Sequence, residues 1–113
     1  MICAALLLLA TAPAKPYGLT VTHGVLMKDG VPFHGIGVNY FNAFARTLAD
    51  PKDTSYEEGF RQLQQRNIPF ARFMCCGFWP SDMRLYQTDR AEYFRRMDRV
   101  IRSAERHHVG LIA

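Results

Sequence analysis

From Gly35 onward the chain alternates extended apolar runs with amphipathic helical stretches, and that order leaves few folds open. Gly35-Ile36-Gly37-Val38-Asn39-Tyr40 reads as a buried strand, residues 43–54 as a polar loop, and Ser55 to Asn67 as a helix. Ile68 to Met74 reads as a second strand, residues 75–88 as a long loop, and Asp89 to His108 as a second helix. Gly110-Leu111-Ile112-Ala113 begins a third apolar run. Strands alternating with helices form βαβ units and imply a parallel sheet. Right-handed crossovers place both helices on one side of the strands, whereas parallel sheets are generally covered on both. The pattern predicts part of a larger α/β fold.

Local signals support these assignments. Ser55 with Glu58 and Asp89 with Glu92 have capping-box spacing. Tyr56, Phe60 and Leu63 then share one helix face, and Phe94, Met97, Ile101, Ala104 and His108 share another. This spacing predicts that His108 packs below the sheet and His107 faces water. Upstream, Leu19 to Met27 is rich in Val and Thr and reads as one strand. Asp29-Gly30 is a two-residue turn signal, and Val31-Pro32-Phe33 is its hairpin partner, with Pro32 on an edge.

Composition narrows the function classes. A chain of 113 residues that is 49% hydrophobic holds one domain at most and is too apolar for disorder. It is also too short for a complete eight-stranded α/β barrel, which takes about 250 residues. Of the net charge of +4, the segment 90–106 supplies +3 through six Arg and three acids. Arg95, Arg99, Arg102 and Arg106 form a basic stripe. Glu92–Arg96 and Asp98–Arg102 stand at i, i+4, however, and no aromatic residue interleaves the stripe, so it reads as a solvated face with no nucleic-acid partner.

At the N-terminus, Ala4 to Ala10 forms a short apolar run followed by Ala12-Pro13-Ala14. This pattern resembles a secretory signal cleaved after Ala14 and predicts a secreted or periplasmic protein whose domain begins at residue 15. No run reaches the length of a membrane-spanning helix, and no membrane anchor is expected. Cys75 and Cys76 are adjacent, which suits neither a relaxed disulfide nor a zinc site, so they read as small buried apolar residues. His107-His108 lacks the i, i+4 spacing of a helical metal pair, and His23 and His34 have no ligand pattern around them. No metal or cofactor is expected.

Four residues carry candidate chemistry. Arg72 interrupts the apolar run Ile68–Met74, where alternate residues face opposite sides of the sheet. It either snorkels to solvent or is a buried guanidinium that orients a carboxylate, and the second reading is favoured. Asn39 and Tyr40 close the first parallel strand, where ligands of α/β folds bind. Trp79 follows the second strand and either stacks on the apolar face of a sugar or packs its loop onto the rim.

The ordered set Lys28-Asp-Gly-Val-Pro-Phe33, Gly35-Ile-Gly-Val-Asn-Tyr-Phe41, Ile68-Pro-Phe-Ala-Arg-Phe73 and Gly77-Phe-Trp-Pro80 resembles the start of cellulase-like glycoside hydrolases of the family 5 type. So do Tyr93-Phe94, Met97 to Val100, Ala104-Glu105 and Gly110-Leu-Ile. The resemblance spans nearly all of residues 19–113. It implies an incomplete (β/α)8 TIM barrel, with an N-terminal hairpin followed by strands one to three and helices one and two. It also implies that Arg72 contacts the nucleophilic glutamate and that Asn39, Tyr40 and Trp79 line a cleft for a β-linked polysaccharide or oligosaccharide. Retaining hydrolysis needs two carboxyl groups about 5–5.5 Å apart, and in this family they follow strands four and seven. Neither glutamate is among these residues, so the chain by itself is expected to be inactive. A different class of function, a non-catalytic carbohydrate-binding module, would use Trp79, Tyr40 and Tyr86.

Overall fold

Two tight turns organise the N-terminal part of the protein, whose computed structural model describes residues 18–76 and 83–113. Asp29 and Gly30 both take positive φ, 51° and 81°, as a two-residue hairpin turn requires. His23 and Gly24 do the same at 50° and 78°. The run read as one strand is therefore two, β1 (Leu19–Thr22) and β2 (Val25–Lys28), paired antiparallel, with β3 (Val31–Pro32) on the other side of β2. His-Gly is a weaker turn signal than Asp-Gly, yet histidine is among the residues that tolerate positive φ. Asp29 closes the far end of the hairpin, its carboxylate accepting the Gly18 N–H at 3.0 Å.

The parallel order is as the alternation predicts. Strands β4 (Val38–Asn39), β5 (Phe70–Arg72) and β6 (Gly110–Ile112) lie side by side in that order, all parallel. Single bonds extend the ladder past the strand ends: Tyr40 N–H to the Arg72 carbonyl at 2.8 Å and Phe73 N–H to the Ile112 carbonyl at 3.0 Å. The hairpin packs against the beginnings of these strands. Leu19 lies so close to Gly110 that a Cβ there would meet it at 2.8 Å, and the Phe33 ring meets Phe70 edge-on at 6.1 Å.

Residues 43–54 are not a loop throughout. Helix α1 (Asn42–Ala49) buries Ala43, Phe44 and Thr47, with Phe44 edge-on to Tyr93 at 5.1 Å. Its two turns give too short a periodic stretch to stand out, and packing rather than propensity sustains it. Likewise α3 (Arg84–Thr88) occupies the end of the expected 75–88 loop.

Helix α2 (Ser55–Gln65) starts one residue earlier than its capping-box spacing indicates. Thr54 is the N-cap, and the Asp53 carboxylate accepts the Ser55 N–H at 2.8 Å. Hydrogen bonds from Ser55 hold Asp53 below the usual carboxylate range. Glu58 pairs with Arg61 and Gln62 instead of the helix start. In α4 (Arg90–Arg106) the Asp89 cap forms as predicted, accepting the Glu92 N–H at 2.9 Å.

The buried face of α4 is turned by about one residue from the predicted one. Tyr93, Val100, Ser103 and Ala104 are buried, whereas Phe94 is 50% exposed. Residues 93–94 and 100–101 offer apolar choices on both faces, and Tyr93 also finds a partner for its hydroxyl, the Cys75 carbonyl at 3.1 Å. The histidine assignments reverse. His108 is exposed at φ 56°, and His107 is half-buried with Nδ1 2.9 Å from Gln64 Oε1.

Both long helices end in the same device. After α2, Asn67 takes φ 54°, with Asn67 N–H bonded to Gln64 and Ile68 N–H to Leu63. After α4, His108 takes the equivalent place, bonded to Glu105, with Val109 bonded to Ala104. These are Schellman ends in which a non-glycine residue accepts the left-handed position. The core lies between the helices and one sheet face, with Phe44, Phe60 and Val100 fully buried beside Ala71 and Phe73. The result is a mixed α/β arrangement of two small open sheets and, among the described residues, four helices, none long and apolar enough to cross a membrane.

Candidate functional site

Register divides the parallel sheet into two faces. Val38, Ala71 and Leu111 align across the strands and turn toward the helices, with Ala71 fully buried. Asn39, Arg72 and Ile112 align on the next rung and are all exposed. Asn39 and Arg72 are thus lateral neighbours at the carboxyl ends of adjacent parallel strands, the position where α/β sheets bind ligands.

Arg72 departs from the favoured buried reading. It is exposed, with its guanidinium carbon 5.6 Å from the centre of the Phe41 ring. Its face of the sheet is uncovered, so the guanidinium keeps contact with water while it lies over an aromatic ring within cation–π range. No carboxylate is paired with Arg72 among the described residues.

Tyr40 points the other way. Its ring packs edge-on to Phe60 at 5.4 Å, and its hydroxyl lies over Gly59, where a Cβ would approach it to 2.2 Å. Burial pushes its phenol up, which Arg46 partly offsets. The structure therefore brings Asn39 and Arg72 together and sets Tyr40 on the helix side of the same strand. Trp79 lies outside the described residues, as does the signal segment. Tyr86 packs against Tyr93 and Phe94 under the Arg90 guanidinium. Phe41 is the residue that sequence reasoning passed over. Its place at the strand end was visible, but its contact with Arg72 depends on pairing between strands 30 residues apart.

The cysteines differ from expectation in exposure. Both are free, Cys75 half-buried and Cys76 exposed. Among the described residues no group of three or more His, Cys, Asp or Glu side chains could hold a metal ion.

Several acids among the described residues have structural partners away from this face. Glu57 accepts from buried Ser103 at 2.8 Å and from Arg106, tying α2 to α4. Asp50 accepts the Lys52 N–H in the turn after α1. Glu92 holds Arg95, Arg96 and Arg99, and Asp98 holds Arg102. Arg95, Arg99, Arg102 and Arg106 are each more than half exposed and each is ion-paired, the solvated face that the spacing predicts. No protein-family model and no curated protein matches the chain.

Proposed function

We propose that the protein is the N-terminal part of a secreted, retaining glycoside hydrolase of the cellulase-like type, acting on a β-linked polysaccharide. In this reading β4, β5 and β6 are the first three strands of a (β/α)8 barrel, and the β1–β3 hairpin closes its lower end. The observation that carries the reading is the pairing of Asn39 and Arg72 on one uncovered face at the strand carboxyl ends. A barrel interior would enclose such a face, and a cation beside an amide suits binding of a carboxylate and of sugar hydroxyls there. Arg72 would hold the nucleophilic carboxylate ionised and oriented, lowering its affinity for protons as a neighbouring guanidinium does. Asn39 would bond sugar hydroxyls beside it, with Trp79 stacking on the ring and Tyr40 bracing the strand from behind.

The reaction would run by double displacement through a glycosyl-enzyme, without metal or cofactor. Both reacting glutamates would come from beyond Ala113. Purified 113-residue protein is therefore expected to release no reducing sugar from glucan or mannan. Turnover at an ordinary enzymatic rate would contradict this assignment of the catalytic groups.

A further inference from the structure

Phe44 and Phe60 are fully buried, yet Phe41 keeps 46% of its surface exposed at the end of β4. Half a phenyl ring left in water forgoes hydrophobic stabilisation that its neighbours obtain. What it contacts instead is Arg72, whose guanidinium carbon lies 5.6 Å from the ring centre. Both partners stand on fixed backbone. The Phe41 carbonyl accepts the Met74 N–H at 3.2 Å, and the Arg72 carbonyl accepts the Tyr40 N–H at 2.8 Å. The side chains are therefore anchored by sheet bonds adjacent to each residue.

A guanidinium rests on an aromatic ring through its flat face, while its N–H donors project from the edge. A cation–π contact of this kind restrains the group without using those donors. From this geometry we infer that Phe41 is a positioning residue, which holds Arg72 across the open sheet face with its N–H edge turned to receive a carboxylate. The inference rests on the reading of Arg72 given above and adds the residue that orients it.

The test is NMR of the 113-residue protein, wild type, Phe41→Leu and Phe41→Tyr, with acetate as the carboxylate probe. Ring current is expected to move the Arg72 Hδ protons upfield in the wild type and in Phe41→Tyr, and the shift is lost in Phe41→Leu. Acetate moves the Arg72 Nε–H resonance, and Phe41→Leu weakens that response about two- to fivefold, the size of an exposed cation–π contact. Arg72 Hδ protons at their random-coil position in the wild type would overturn the inference, whatever the variants do. So would an acetate response unchanged in a folded Phe41→Leu protein. None of these signals requires hydrolysis. Loss of the glycosidase reading would leave the stack intact, whereas a missing ring-current shift removes the stack alone.

Discussion

The two faces of the β4-β5-β6 sheet are built from the same three short strands but carry opposite chemistry. Toward the helices stand Val38, Ala71, Phe73 and Leu111, closed over by Phe44, Phe60 and Val100. Toward the other side stand Asn39, Arg72 and Ile112, with Phe41 beside them at the strand end. The covered face accounts for folding. The open face carries a cation, an amide and an exposed aromatic ring that folding does not need, and this asymmetry motivates the functional reading.

The sharpest way to break the comparison is to truncate one residue on each face. Phe60→Ala on the covered side is expected to cost about 3–5 kcal/mol, enough to unfold a domain this small. Asn39→Ala on the open side should stay within about 0.5 kcal/mol. Urea melts of the two proteins check both, and equal losses would end the division of labour. A smaller effect is expected where β4 meets α2. Gly59→Ala places a methyl group against the Tyr40 ring and should destabilise by about 1–3 kcal/mol. Thermal melts would show it, and a neutral outcome would mean that Tyr40 is not held on the covered side.

Next in size is the tie between α2 and α4. Ser103→Ala removes the hydroxyl that donates to Glu57 and should cost about 1 kcal/mol in the same melts. The smallest effect lies on the solvated surface. Hydrogen bonds from Arg61 and Gln62 pull the Glu58 carboxyl down to about 2 from 4.5. A depressed carboxylate stabilises the folded state above its unfolded pKa, and that contribution is lost as pH falls from about 4.5 toward 2. Glu58→Gln should therefore show a shallower fall in melting temperature across that window. An identical acid limb in both proteins would remove Glu58 from the account.

Much of the covered face was legible because it repeats a period. Tyr56, Phe60 and the strand run 68–74 follow patterns long enough to read, and Asp29-Gly30 and Asp89 are local signals that need no tertiary context. The failures have the opposite character. Helices α1 and α3 are too short to show a period, and the α4 face turned because Tyr93 and Phe94 compete for the same position. His23 and His108 take positive φ where glycine would have announced it. On the open face, the alternation around Arg72 indicated the strand-end position. Its exposure and its contact with Phe41 arise from the pairing of β4 with β5, which no local pattern encodes.

In the proposed function, the open face belongs to the interior of a barrel completed by later residues. Sequencing the transcript past the Ala113 codon tests it most directly. The frame is expected to continue through further strand–helix units, with an Asn-Glu pair after the fourth strand. A frame that closes at once, or that runs on without that pair, would contradict it.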